Sequence, residues 1–365
     1  MKDDIPYTRY HRQMILPGFG AEAQHRLLKA SALVVGAGGL GCPVLVSLAG
    51  AGLGTIGMVD NGLVELSNLH RQFLYTMSGI GMPKVACAKN ALHALNPDIT
   101  LHTYDTTLTN RNAIGILSQY DIIIDATDNF ESRYMLSDAC RLLGKPLVFG
   151  AVSRLEGQVA VFTGDIGYRD LFPVPPKPGE VAGCSEAGVM GFVTGIIGHM
   201  MAGECIKWIT GKGQPLAGRL LTYSAMKNIF WETQIEPWPQ AGTTAPVSRE
   251  DFESREYGFF CIPAPLSPLE ILPHQFRSLC LLEPVMVYDI REPDELPLLS
   301  GLAHERIPVS LFADRFPPAT KEPAVFICQS GKRSLAAAEK YRAVYPGHRV
   351  YSLYGGVLAL TEGNE

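Results

Sequence analysis

Residues 33–48, LVVGAGGLGCPVLVSL, constrain the fold of this chain more than any other stretch. An unbroken apolar run leads into Gly36, Gly38 and Gly41 in G-x-G-x-x-G spacing, and a second apolar run follows. A strand without polar alternation is one buried on both faces, so this pattern predicts a strand feeding a helix within a parallel, two-sided sheet. The glycines let backbone N–H groups approach a phosphate at the helix N-terminus. Asp60 closes the next apolar run, where a carboxylate accepts hydrogen bonds from a ribose. Up to here a dinucleotide for hydride transfer and ATP for activation are served equally.

The same rhythm continues along the chain. GTIGMVDNG, ITLHTYDT, YDIIIDATD and KPLVFGAV read as strands, with MPKVACAKNALHALNP and ESRYMLSDACRLLG as helices between them. This predicts an α/β fold with a Rossmann-like, mostly parallel sheet covered on both faces. EGQVAVFTG and GRLLTYSAMKNIFWETQIE alternate more and predict an antiparallel extension. Between them, LFPVPPKPGEVAGCSEAG carries Pro173, Pro175, Pro176 and Pro178, which exclude helix and central strand. The stretch from Pro237 to Ser267 reads as loop, and a smaller α/β unit follows, with strands VMVYDI, AVFICQ and RVYSLYGG and helix RSLAAAEKYRAVY. The expected division is a first domain over 1–236, a linker over 237–267 and a second domain over 268–365. A chain of 365 residues has room for two such cores.

Composition narrows the function classes. Apolar residues make up 47% of the chain and charged residues 18%, as in globular proteins. A net charge of -5 argues against a nucleic-acid surface. The eight cysteines are scattered without a C-x-x-C clip, and MKDDIPYTRYHRQM has no apolar signal-like stretch, so reduced thiols and a cytoplasmic location are expected. Residues 187–203, AGVMGFVTGIIGHMMAG, are nearly uncharged but short of the roughly 20 residues a membrane span needs. With His199 inside and Glu204 next, they predict a buried helix and no membrane partner.

The flanking residues separate the two nucleotides. ELSNLHRQF groups Asn68, Arg71 and Gln72, Lys84 follows a glycine-rich turn, and YDIIIDATDNFESR brings Asp125 and Asp128 to a strand end. Arg71 and Lys84 suit charge on transferring phosphoryl oxygens, and Asp128 suits Mg²⁺. An NAD(P)-dependent oxidoreductase leaves all three without a role. The plainer alternatives are a surface position for Arg71 and a helix-capping role for Asp128, next to the helix that begins near Asn129.

Six ordered motifs, RYHRQMILPGFG, VVGAGGLGCP, SNLHRQ, GMPKV, ATDN and GQVAVF, resemble the MoeB/ThiF family over residues 7–235. These are bacterial relatives of ubiquitin-activating enzymes. The resemblance implies ATP and Mg²⁺, and adenylation of the C-terminal carboxylate of a ubiquitin-like sulfur-carrier protein ending in Gly-Gly. It also implies a homodimer in which Arg12 is supplied across the dimer. Gly36, Gly38, Gly39, Gly41, Asp60, Asn68, Arg71, Gln72, Lys84 and Asp128 are the implied nucleotide-binding positions. No general base is needed, because a carboxylate is already ionised at neutral pH.

The chain also departs from that pattern. Many relatives carry a structural zinc on two C-x-x-C pairs. Here Gly167 and Asp170 stand at the first pair, and PWPQAGTT, at the second, has no cysteine. No zinc is expected, the loops being held instead by packing and proline rigidity. Gly62 stands where relatives often carry an aspartate. Cys184, in GCSEAGV, matches a cysteine that attacks the activated carrier or forms an acyl disulfide, whereas its plainer reading is a buried small hydrophobe.

Near the C-terminus, Cys328 ends a strand and Ser334 begins a helix. The loop between them can wrap N–H groups around the sulfur, and the helix dipole, Lys332 and Arg333 favour an anion there, hence a reactive thiolate. With VYDIREPDEL upstream and VYSLYGGVLAL downstream, residues 268–365 resemble a rhodanese domain whose active-site loop runs from Cys328 to Arg333. The loop is one residue shorter than in phosphatases with a comparable cradle, which favours a persulfide over phosphate. GLAHERIPVSLF is shorter than the usual rhodanese segment. The fusion resembles MoeZ-type adenylyltransferase/sulfurtransferases. It implies that a Cys328 persulfide, charged by a donor such as a cysteine desulfurase, converts the acyl-adenylate to a thiocarboxylate. A non-catalytic module that captures a ubiquitin-fold protein is the third class. The set Arg12, Arg71, Lys84 and Asp128 argues against it.

Overall fold

The computed structural model describes residues 7–164, 166–174, 188–239, 241–257, 267–299 and 301–361. The chain divides into two units, Met1–Cys261 and Ile262–Glu365. In the first, β1 (Ser31–Val35), β2 (Thr55–Val59), β3 (Thr100–Tyr104), β4 (Ile122–Asp125) and β5 (Leu147–Ser153) lie parallel in the order β3-β2-β1-β4-β5. Ala32 and Val34 of β1 enter the core on one face, Leu33 and Val35 the core on the other. Both cores claim residues from one strand, which is why β1 shows no polar alternation. The sheet then turns antiparallel through β6 (Glu156–Phe162), β7 (Arg219–Ser224) and β8 (Ile229–Gln234). The mixed α/β architecture is the one expected.

The uncharged stretch near residue 190 forms the helix Gly191–Thr210, which buries Val193, Ile197, Met201 and Cys205. It packs against the helix Gly41–Ala51 at Gly198, where a Cβ would stand 2.3 Å from Pro43 Cγ. Glu204, at its buried side, accepts from the Leu216 amide at 2.7 Å and pairs with Lys207. Among the described residues no helix is long and apolar enough to cross a membrane.

Two local expectations need correction. Residues 241–257, read as loop, include the helices Ala241–Thr244 and Arg249–Ser254 and are fastened to the first unit. Phe252 is fully buried in its core, and Asn110 Nδ2 donates to the carbonyls of Glu253 (2.8 Å) and Arg255 (2.7 Å). The Tyr257 hydroxyl donates at 2.8 Å to Asp138, whose carboxylate is also gripped by Arg169 through two bonds of 2.8 Å. Two isolated aromatic anchors in a polar stretch carry no periodicity, so the sequence pattern does not reveal them.

The second correction concerns the loops around Gly167. Packing and proline rigidity are not alone in holding them. Asp170 Oδ2 accepts from the Gly167 amide at 2.7 Å, and Oδ1 accepts from the Trp238 amide at 2.8 Å. One carboxylate thus ties together the two places where cysteine pairs would stand. The residues there offer no thiolate and a single carboxylate with both oxygens engaged, a donor set that does not fit tetrahedral zinc.

The second unit is a parallel sheet in the order β11-β10-β12-β13-β9, formed by β9 (Glu270–Ile271), β10 (Met286–Asp289), β11 (Glu305–Arg306), β12 (Ala324–Ile327) and β13 (Val350–Leu353). The two-residue strands β9 and β11 are too short for a periodic signal. The helix Lys332–Val344 connects β12 to β13 and begins at the end of the Cys328 loop.

Candidate active sites

In the first unit a cavity of about 580 Å³ opens at the carboxyl ends of the parallel strands. The glycine turn forms its floor. Gly36 has φ +95°, and a Cβ on it would lie 2.7 Å from the Ala126 carbonyl oxygen. A Cβ on Gly41 would lie only 2.0 Å from the Gly36 carbonyl oxygen, so Gly41 braces the turn from behind without facing the cavity. Gly38 is different: a Cβ there would meet nothing nearer than Gln72 Nε2 at 3.8 Å and would fill cavity space. Gly39 completes the floor against Thr194.

The cavity wall brings together Asp60, Asn68, Arg71, Gln72, Lys84 and Asp128. Asp60 also works within the protein, accepting from the Ala37 amide at 2.8 Å and the Gly62 amide at 2.7 Å. Both oxygens keep a lone pair for a ribose hydroxyl. A Cβ on Gly62 would stand 3.0 Å from Asp60 Oδ1 and 3.1 Å from Lys84 Nζ, so a side chain here would crowd both groups. Asn68 is turned inward, accepting from the Glu65 amide and donating to Ser67 Oγ, both at 3.3 Å. Arg71 donates to the Ser67 carbonyl at 2.8 Å, with His70 Nε2 2.7 Å away. Gln72 is buried, and its Oε1 has no hydrogen-bond partner among the described residues. An orphaned acceptor beside an open glycine cradle fits a ligand that brings its own donors.

The two acidic residues after β4 divide. Asp128 is exposed on the cavity wall, and Asn129, not Asp128, caps the helix Phe130–Leu143 by accepting from the Ser132 amide at 2.9 Å. Asp125 is fully buried and turned to Thr127, whose amide and hydroxyl donate at 3.0 and 2.6 Å. Burial drives its carboxyl above the usual carboxylate range, against the pull of Arg133.

Arg133 is a wall residue to which the sequence reading assigned no role. It is buried between the rings of Phe130 and Phe149, 5.5 and 5.7 Å from their centroids, and donates to the Thr127 carbonyl at 3.3 Å. Its signal was its place one helical turn after the Asn129 cap. Thr106 and Thr107, in the irregular chain after β3, carried no signal at all. Arg12 is exposed on the helix Tyr7–Met14 and does not line this cavity. Cys184 lies outside the described residues. Burial pushes the Cys42 thiol, beneath the turn, up to about 12, which leaves it a neutral packing group.

The second unit centres on Cys328, which has no exposed surface. The amides of Gly331 and Ser334 point at its sulfur from 3.2 and 3.4 Å, and the Ser334 hydroxyl from 3.3 Å. Gly331 takes φ +94°, which turns its N–H inward and starts the helix. The Arg333 guanidinium, expected to favour an anion at the sulfur, is turned to Glu295. It makes two bonds of 2.6 and 2.5 Å to Glu295, and this pairing holds the Glu295 carboxyl below the ordinary range. Arg291, unassigned from sequence, is entirely buried. It grips Asp289 through two bonds of 2.9 Å and reaches Gln329 Oε1 at 3.4 Å. Burial pushes the Asp289 carboxyl up, but the Arg291 contacts outweigh it and leave it lowered.

The α/β sheet with a polar cavity over its glycine turn defines a Rossmann-like protein with a candidate ligand site, and the ThiF family model matches residues 10–242. The chain belongs to that family. A sulfur carrier protein adenylyltransferase of Thermus thermophilus is 49% identical over 263 residues, 69% of this chain and 96% of that protein. The adenylyltransferase and sulfurtransferase MOCS3 of Drosophila yakuba is 37% identical over 382 aligned residues, covering 98% of this chain and 83% of its own. A solved structure of E. coli MccB with MccA-N7isoASN shares the fold, with a TM-score of 0.58 at 19% identity over 65% of this chain and 74% of that one. The chain is an enzyme of this kind, an adenylyltransferase with sulfurtransferase activity.

Proposed function

We infer that the first unit adenylates the C-terminal Gly-Gly carboxylate of a ubiquitin-like sulfur-carrier protein and that the second supplies sulfur to make a thiocarboxylate. The carrying observation is one cavity whose wall holds the glycine turn, Asp60, Arg71, Lys84 and Asp128. The similarity to a sulfur carrier protein adenylyltransferase supports the choice of substrate.

ATP is the second substrate. Asp60 receives its ribose and the turn its phosphates. The carrier carboxylate attacks the α-phosphorus, and the bond to pyrophosphate breaks. Arg71 and Lys84 offset the charge that gathers on both fragments, and no residue has to take a proton. Asp128 is the residue that would hold Mg²⁺, a cation suited to one carboxylate plus substrate phosphates, which supplies further charge neutralisation when bound. Arg12 joins the site from the second copy of a homodimer.

The outer sulfur of a Cys328 persulfide then attacks the acyl carbon, and AMP leaves. A second thiol, for which Cys184 is the candidate, attacks Cys328 Sγ, the S–S bond breaks and the thiocarboxylate leaves; the disulfide so formed with Cys328 is then reduced by an external dithiol. A persulfide donor such as a cysteine desulfurase recharges Cys328, and the cytoplasm, which keeps thiols reduced, suits this chemistry.

ATP–pyrophosphate exchange that depends on a carrier ending in Gly-Gly is the expected result; no exchange with any such carrier would sink the reading. The dimer role of Arg12 has its own measurement. Arg12→Ala and Lys84→Ala are each expected to be inactive, while mixing them restores exchange, since each mixed dimer contains one complete site. Failure of the mixture to regain activity would remove Arg12 from the partner's site.

A further inference from the structure

Two hydroxyls stand behind the Cys328 sulfur, and the steps above use neither. Ser334 Oγ is 3.3 Å from Cys328 Sγ and 2.9 Å from the Gly331 carbonyl oxygen. Ser352, on β13, places its Oγ 2.8 Å from Ser334 Oγ and 3.3 Å from the same carbonyl oxygen. Cys328, Ser334 and Ser352 have no exposed surface, so bulk water does not substitute for any of these contacts. Each hydroxyl carries a single proton. Ser334 donates to the carbonyl or to the sulfur, and Ser352 to Ser334 or to the carbonyl. Two hydrogen-bond arrangements are therefore open to the group.

We propose that Ser334 is a catalytic hydroxyl whose proton follows the charge on Cys328 Sγ, and that Ser352 is a positioning residue that takes over the Gly331 carbonyl when Ser334 turns away. The inference rests on the reading of Cys328 as the sulfur-transfer nucleophile. In loading, the Cys328 thiolate attacks the sulfane sulfur of a donor. With thiosulfate as donor, the S–S bond breaks, sulfite leaves with the electron pair, and Cys328 Sγ becomes the neutral inner sulfur of a persulfide whose charge sits on the outer atom. Ser334 then returns to the carbonyl.

In unloading, a nucleophilic acceptor attacks the outer sulfur. With cyanide, thiocyanate leaves and the electron pair of the broken S–S bond returns to Sγ. Charge appears on Sγ in this step, and the Ser334 hydroxyl donates to it as it forms. Loading instead starts from a thiolate that already holds the bond. The hydroxyl therefore helps unloading and contributes little to loading.

Single-turnover kinetics of the full-length protein, with thiosulfate and cyanide as probes, separate the two steps. Ser334→Ala is expected to slow unloading about tenfold, the loss of one hydrogen bond to a developing charge, and to change loading by no more than about twofold. Ser334→Thr, which keeps a hydroxyl, is expected to restore unloading. Ser352→Ala leaves every contact to the sulfur in place, slows unloading by a smaller factor of about threefold, and carries the test if Ser334→Ala does not fold. Unchanged unloading, or equal slowing of both steps, overturns the inference. Wild-type protein that never takes up sulfur overturns the reading of Cys328 itself, and the inference with it.

Discussion

Gly38 and Gly41 belong to one turn, yet an added methyl group meets different surroundings at each. At Gly41 it would press into the Gly36 carbonyl oxygen from 2.0 Å, a backbone atom that cannot swing away. Gly41→Ala is expected to cost about 3 kcal/mol of stability, measured as a lower denaturation midpoint. At Gly38 the methyl would enter cavity space, so Gly38→Ala is expected to leave stability within about 0.5 kcal/mol and raise KM for ATP in the exchange assay. Equal loss of stability in both would refute this division of roles. The spacing of these glycines was legible because it follows directly from the turn. The depth of Asp125 was not, because burial depends on neighbours distant in sequence. Arg133 was likewise hidden, since its two rings come partly from β5, in Phe149.

Among the elements, the tie made by Asp170 is the most exposed to test. Asp170→Asn keeps the shape but replaces one acceptor with a donor facing an amide N–H. About 1–3 kcal/mol should be lost from the first unit, seen as a melting temperature lower by a few degrees. A chelator should leave the melting of the wild type where it was, and a fall on chelation would refute this account of the loops. In the second unit, Glu295 and Arg333 join the segment after β10 to the Cys328 loop. The folded carboxyl is lowered, so the pair contributes fully above the ordinary value of about 4.3 and loses that contribution as pH falls through the lower folded value. Amide exchange over residues 292–299 should therefore rise in that acid range, and Glu295→Gln should show the fast exchange at neutral pH already. The sequence pointed to Arg333 as a cation near sulfur. Its carboxylate partner, 38 positions away, was not visible in local spacing.

For the whole molecule, the two chemistries use separate residues and should separate on mutation. Cys328→Ser is expected to keep pyrophosphate exchange and abolish thiocarboxylate formation. Arg71→Ala should lower exchange by about 10²-fold or more while Cys328 still loads from thiosulfate. Loss of both activities in either variant would mean that the units do not act independently. The sheet and its reversal at β6 were readable because strand periodicity is local. The end of the first unit was not, because Phe252 and Tyr257 declare themselves only through the surfaces they bury.

A thiolate clip closes only after meeting a scarce ion, so the yield of folded protein follows metal supply. A carboxylate held by two amides of its own chain closes as soon as the chain brings them together. Cells starved of zinc should accumulate this enzyme as readily as cells grown with it.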